Sequence, residues 1–455
     1  MNNHTPTAFK GACLLGLLIA GCSVNQQQEV AEYRKVLDTA AAPTTAPAAA
    51  ATLTLQQALQ LANRNSDTLA STGEDYLQAI IARNRAASAF LPTISAASSY
   101  SLRDDGMGGT SDSTTATGSG QMNIFNGGQD LAKYRAATAT IQQRRELLLD
   151  EQAKLLLNVV ATYYEVIKNE RQARVYETSI KYQEERVRDT EARVRLGAAK
   201  PLDLAQSRSE LAATRVSLTQ SLLDASNGRS TLAYLIGLPA VENALSDDLT
   251  IPDAPGDLAP FMATALKSRH DLEAARHAAE AARQSVTAAF AQYYPSVSVN
   301  FDYLLYHHPD EGGLWSGAIS ANIPIFSAGR IEADVRTAWS QYRQAGLHEA
   351  DLRKQIAMEV QQAYENLTGS ARKLVDTRDQ ITAARQALTL SDRSYALGSA
   401  TNLDRLSSQN SVQNAELDLV KEQLSEKVYY LVLLRRTGQL NLTTLVPSTA
   451  PTARS

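Results

Sequence analysis

Two aspartates in matching settings are the strongest candidates for chemistry in this 455-residue chain. Asp203 follows Leu202 and Asp404 follows Leu403, and each pair lies shortly after a Leu-Gly step, Leu196-Gly197 or Leu397-Gly398. A carboxylate so placed can cap a helix or attract a cation. Asp203 with Gln206 and Thr401 with Asp404 both fit helix-start signals, so capping alone could account for either carboxylate. Tyr395, just before Leu397-Gly398, is a third polar candidate, although it also falls on an apolar seam where packing alone would put it. The six histidines do not cluster with carboxylates at ligand spacing, and no Gly-rich phosphate loop is present. A formal net charge of −4 gives no electrostatic case for nucleic acid. An enzyme is therefore disfavoured.

The two cysteines, Cys13 and Cys22, lie at the extreme N-terminus, which leaves no disulfide framework or Cys-based metal site. Residues 1–21 read as a secretory signal: Lys10 is the only charge, an apolar run covers Gly11 to Ala20, and small residues close it. The run is too short for a permanent spanning helix, which needs roughly 20 residues. Its ending, Ile19-Ala20-Gly21-Cys22, resembles the lipobox of bacterial lipoproteins. That resemblance implies lipidation of Cys22 as the first mature residue and, with Ser23 rather than Asp after it, no retention in the inner membrane. The covalent lipid would be the only non-protein group; no cofactor or metal is expected.

The paired landmarks belong to a larger repeat. Ile124-Phe125-Asn126-Gly127-Gly128 recurs as Ile325-Phe326-Ser327-Ala328-Gly329, and Gly237 recurs as Gly438, always displaced by 201 residues. A constant offset means a duplicated unit of rigid length. Gln129 to Leu196 contains no Gly or Pro, and Arg330 to Leu397 contains no Pro and only Gly346 and Gly369. Each stretch predicts a helix about 100 Å long. Val159, Val166, Ala173, Ile180, Val187 and Val194 are spaced by seven, as are Val360, Leu367, Leu374, Ile381, Leu388 and Tyr395. Such spacing demands a supercoiled partner. A second helix returns from each Leu-Gly, giving antiparallel hairpins with tips near 197–203 and 398–404. Shorter helices over 54–90 and 259–293 precede the hairpins and can stack end to end with the returning arms.

Between short and long helices the pattern changes to period two. Val297, Val299, Phe301, Tyr303 and Leu305 alternate with Ser296, Ser298, Asn300 and Asp302; Trp315, Ile319, Ile323 and Ile325 oppose Ser316, Ser320 and Asn322. The first half repeats this more weakly, with Ile94, Tyr100 and Leu102 in one strand and Met122 and Ile124 in its partner. These strands match transmembrane β-strands, with Trp315, Tyr303 and Tyr306 suited to an aromatic belt. Loops are expected at 103–114 and 307–313, the latter holding His307-His308. Four strands cannot close a barrel around water, and lipid tolerates no bare edge, so an oligomer must complete it.

The combined pattern resembles the TolC family of outer-membrane efflux ducts, in particular its multidrug-efflux lipoprotein members, over nearly all of residues 53–438. The resemblance implies a mainly α fold with a transmembrane β part: a homotrimeric tube with four strands per chain in a 12-stranded barrel, continued by periplasmic coiled coils. The expected divisions are signal 1–21, tether 22–52, first repeat 53–237, belt linker 238–258, second repeat 259–438 and tail 439–455. By the same resemblance Asp203, Tyr395 and Asp404 belong to a periplasmic gate, with Asp404 forming a carboxylate ring and Tyr395 bonding the Asp203 side of a neighbouring hairpin. Gly197 and Gly398 mark tips that meet a periplasmic adaptor (membrane fusion) protein. Two positions depart from the family pattern, Ala400 replacing an Arg and Ser407 an Asp, which implies a thinner lock. The sequence also breaks its own symmetry beside the tips, where Arg193-Val194-Arg195 corresponds to Ser394-Tyr395-Ala396 and Pro201 to Asn402.

The function so implied is passive exit of drugs or small amphiphiles, with energy from an inner-membrane pump, at a lipid-anchored outer-membrane location. Two other readings fit the same helices: an exit duct for type I protein secretion, and a non-conducting periplasm-spanning tether. Few Met and His residues disfavour a dedicated copper or silver duct.

Overall fold

The computed structural model describes residues 26–37, 52–104, 106, 109–251, 256–308 and 313–442. Cys22 and most of the expected tether and tail lie outside them. The first long helix, α4 (Gln129–Arg195), and the second, α8 (Arg330–Ala396), have 67 residues each. Each starts after a glycine in the left-handed region, Gly128 at φ 82° or Gly329 at φ 80°. Each also ends at one, Gly197 at φ 73° or Gly398 at φ 77°, where L side chains are strained. The chain then reverses: Ala198 N donates to Arg193 O at 2.8 Å and Ser399 N to Ser394 O at 2.9 Å, satisfying carbonyls that a helix end leaves free. The returning arms are α5 (Pro201–Ile236) and α9 (Asn402–Arg436). Pro201 at the first turn of α5 needs no N–H partner.

The short-helix segments are each broken once. The first comprises α2 (Leu55–Asn65) and α3 (Asp67–Ser88); the second comprises α6 (Leu258–Ser268) and α7 (His270–Phe290). The breaks fall at Ser66 and Arg269, which adopt extended backbone, and Ser66 Oγ accepts from Leu69 N to start the next helix. End-to-end stacking follows from contacts at the breaks. Asn65 Nδ2 donates to Ile236 O at 3.0 Å, where α5 ends. A Cβ on Gly237 would sit 2.5 Å from the Asn65 Cβ, so the junction has room only for glycine. Gly438 abuts the Ser268 carbonyl in the same way. Each long helix is thus matched by a returning arm plus a short helix.

The largest core lies at this level, around Tyr163, Tyr164, Leu156, Val159, Leu232, Leu424 and Leu431. Tyr163 Oη lies 2.7 Å from the carbonyls of both Leu53 and Ser246, tying α4 to the belt in which Leu53 bridges Leu245. An N-terminal helix, α1 (Gln26–Val36), joins this core through Tyr33 and Leu37, with Gln152 Nε2 donating to Leu37 O at 3.1 Å. Helix α4 packs on α5, α7 and α9, so the second repeat's helices clasp the first repeat's long helix. The reverse contact, α8 on α5, is not among the packed pairs of the described residues.

At the opposite end from the tips, β1 (Thr93–Asp104), β2 (Thr110–Asn126), β3 (Ser296–His308) and β4 (Trp315–Asn322) form one antiparallel sheet in chain order. Three boundaries differ from expectation. Arg103, Asp104 and Thr110 to Thr114 are paired strand residues, so the first loop is shorter. His307 and His308 extend β3 rather than occupying the loop. The last strand stops at Asn322, short of Ile323 and Ile325, because Pro324 between them has no N–H to continue a ladder. The alternation itself holds. Ser95 with Ser119, Ser101 with Ser113 and Thr115 with His307 hydrogen-bond across one face. Phe301 and Trp315 stack on the other, their centroids 6.1 Å apart. Both faces and both edges of this sheet are open.

Candidate functional site

Polar side chains replace apolar ones on the seam as it approaches the tips. Val159, Val166 and Ala173 are buried, but Ile180, Val187 and Val194 are only half-buried. The buried places near the tip belong to Gln183, Arg186 and Thr190, and on the facing α9 to Asn402, Arg405, Leu406 and Gln409. A seam of this composition gains little from the hydrophobic effect and depends on hydrogen bonds.

Asp392 is the centre of that network. It accepts from Tyr182 Oη at 2.6 Å and from Arg405 Nε at 3.0 Å, linking α4, α8 and α9. Arg405 also lies over the Tyr395 ring, 4.3 Å from its centroid, with Arg193 of the other hairpin at 5.2 Å. Arg186 donates to Gln409 and stacks over Tyr182 at 5.4 Å. Burial, then repulsion from Arg405, lowers the pKa of the Arg186 guanidinium. Burial and the bond to Asp392 raise that of the Tyr182 phenol, keeping it a donor. A further tie, Asn402 Nδ2 to Asp203 O at 3.2 Å and to Ser207 Oγ at 3.3 Å, joins the two tips directly. Several buried polar atoms here, among them Arg186 Nη2, Gln183 Oε1, Thr190 Oγ1 and Gln409 Nε2, have no hydrogen-bond partner among the described residues.

The residues singled out in the sequence fall in and around this cluster. Tyr395 is inside it, held between two arginines. Asp203 Oδ2 accepts from Lys200 N at 3.2 Å, so its side chain caps α5 while its carbonyl receives Asn402. Asp404 is exposed, and its carboxylate accepts from Thr401 N at 2.8 Å and Thr401 Oγ1 at 2.7 Å, which lower its pKa. Gly197 and Gly398 form the two turns. Tyr182, Arg186, Asp392 and Arg405 were not foreseen. The signal that would have found them is a run of charged or amide residues on seam positions, differing between repeats: Asp392 corresponds to Glu191, Arg405 to Leu204 and Arg186 to Ala387.

Fold and tips together define a chain of two long helical hairpins with a membrane-type sheet at one end and a polar network at the other. The repeat structure is matched in family terms as well. The chain belongs to the outer membrane efflux protein family, whose model matches residues 73–238 and 262–438, one segment per repeat. It is 26% identical to the outer membrane efflux protein BepC of Brucella suis over 363 residues, 78% of either chain. It is 26% identical to the probable efflux pump outer membrane protein TtgC of Pseudomonas putida over 326 residues, 67% of this chain and 66% of that one. Among solved structures, the outer membrane protein VceC of Vibrio cholerae superposes with a TM-score of 0.76 at 20% identity, over 84% of this chain and 96% of that one. The CmeC outer membrane channel of Campylobacter jejuni does so with 0.77 at 16%, over 86% of each.

Proposed function

We propose that three copies of this chain close a 12-stranded barrel in the outer membrane and form the exit duct of a tripartite efflux pump. The observation that carries this is the sheet: four strands with two bare edges and an aromatic face cannot rest in lipid unless neighbouring copies pair them. The helices support it. Within one chain α4 packs on α9; the 201-residue symmetry then calls for α8 to pack on α5 of the next copy. Those two helices expose apolar side chains that such packing would cover, Val216, Leu223 and Tyr234 on α5 and Leu347, Met358 and Val375 on α8. The names of the relatives speak for small-molecule efflux.

In this reading the tip network is the resting closure, with Asp404 of three copies around the axis. The turns at Gly197 and Gly398 meet the periplasmic adaptor, and the inner-membrane pump supplies the energy. Cys22 carries the lipid. The duct conducts and performs no chemistry, so no catalytic group is required. Extraction from outer membranes followed by native mass spectrometry should give three times the mass of one lipidated chain. A stable monomer or dimer would end the proposal. Deleting the gene should raise drug susceptibility while leaving the secreted proteome unchanged; the opposite pattern would assign the duct to protein secretion, and no change in either would leave only a tether.

A further inference from the structure

The polar face of the sheet carries one charge at mid-height. Asp302 pairs with Ser119 on β2 and Ser316 on β4, and Ser119 pairs with Ser95 on β1. Above and below, the same face presents mostly Ser, Thr, Asn and Gln, namely Thr115, Thr117, Gln121, Asn300 and Ser298, with Leu304 opposite Thr117 at a register shift. That this is one continuous face follows from its cross-strand hydrogen bonds, and aromatic rings cover the other. Other charged or titratable groups on the polar face of the described strands are distant. Arg103 lies eight residues along β1 from Ser95, about 27 Å away, and His307 four residues beyond the Ser119 level, about 14 Å away. The first helix charges, Asp130 and Arg330, start beyond the Asn126–Ser296–Asn322 row, about 20 Å below Asp302.

We infer that Asp302 sets a cation preference inside the membrane barrel, as a selectivity ring separate from the helical tips. This rests on the trimeric barrel proposed above. Twelve strands spaced about 4.8 Å and tilted about 40° give a barrel about 24 Å across between strand centres. An inward carboxylate then lies roughly 8–9 Å from the axis. The screening length is about 8 Å at 0.15 M salt, so the fields of three such groups overlap on the axis; at 1 M it is about 3 Å and they do not. Summing three screened charges in water predicts a roughly fivefold excess of cations over anions at 0.15 M, falling to near parity at 1 M. Neighbouring hydroxyls orient their dipoles to either sign and do not oppose this. The ring favours passage of cationic amphiphiles over anionic ones of the same size.

The test is reversal potential under a KCl gradient, recorded on bilayer-inserted trimers of wild type, Asp302→Asn, Asp302→Glu and Asp302→Lys at pH 8, where an ordinary imidazole is neutral. The tips are unchanged in all four, so their contribution cancels in the comparison. Wild type and Asp302→Glu should share the cation preference, Asp302→Asn should lose several-fold of it at 0.15 M and little at 1 M, and Asp302→Lys should reverse it. Trimer assembly on a non-denaturing gel confirms that each variant folds. Equal reversal potentials for wild type and Asp302→Asn would overturn the inference while leaving the duct standing. Discrete conductance from none of the four would overturn the duct and the ring together.

Discussion

Replacing Asp392 with Ala should open the tips. Asp392 holds Tyr182 and Arg405, and its removal leaves Arg405, whose side chain is only 10% exposed, beside Arg186 with no other ion-pair partner among the described residues. A hydrogen bond to a charged group contributes about 1.5–3 kcal/mol, and stripping the partner from a buried pair costs about 3–5 kcal/mol. Asp392 is itself one-third exposed, so solvent screens part of this, and about 2–3 kcal/mol per protomer is the appropriate scale. Such a loss moves the balance between closed and open tips by roughly 30- to 150-fold. The assay is open probability in planar bilayers, with Asp392→Asn as control: the amide preserves shape and the Tyr182 bond but not the charge, and it should open the tips less than Ala. If Asp392→Ala lowered the melting temperature of the trimer but left open probability at the wild-type value, the network would be structural and the reasoning about closure wrong.

Gly73 has the Tyr33 ring 2.5 Å from where a Cβ would sit, so Gly73→Ala should loosen α1 at a cost of about 1–3 kcal/mol and expose it to protease. Adding Tyr33→Ala should remove the clash, and continued strain in the double variant would show that another contact is at fault. Asp150 pairs with buried Arg435 at 2.5 Å and with more exposed Lys154 at 2.9 Å; Arg435→Met alone should cost about 1–3 kcal/mol by chemical denaturation, since Lys154 still neutralises Asp150, whereas Arg435→Met with Asp150→Leu should cost less. Equal losses in the two proteins would contradict this. Glu146, Asp271 and Glu359 are each raised by burial yet lowered overall, by His270 for the first and by hydrogen bonds and charge from Arg269 for the other two. Depressed carboxylates contribute stability above their unfolded values near 4 and lose it as pH falls through the folded ones. Melting temperature should therefore be level from pH 7 to 5 and drop below about 4, and a level profile down to pH 3 would refute the assignment. Cys22→Ser should abolish incorporation of labelled palmitate; persistent labelling would place the lipid elsewhere.

The large-scale architecture was legible because it is written in features that survive at low resolution of pattern: the 201-residue offset, the unbroken helical stretches and the clean alternation from Ser296. The breaks at Ser66 and Arg269 were not, since neither residue is a strong helix breaker and each break goes with a contact distant in sequence, Asn65 on Ile236 at the first and Gly438 against the Ser268 carbonyl at the second. Strand limits depended on cross-strand pairing that a single chain segment does not show, as at Thr110 to Thr114. At the tips the landmarks Gly197, Gly398, Asp203 and Asp404 stood out by repetition, and Tyr395 by the family resemblance. Asp392 and Arg405 did not, because they matter through contacts between hairpins about 200 residues apart and because their counterparts in the first repeat are different residues. Duplication made the scaffold visible and hid the place where the two copies diverged.

The central claim is that this chain builds a continuous conducting tube, and single-channel recording of the purified oligomer tests it most directly. Wild-type protein should insert as discrete, uniform steps of small conductance, consistent with closed tips, and Asp392→Ala should convert them to larger steps of equal uniformity. Bilayers that stay silent with both proteins, despite verified insertion, would contradict the tube.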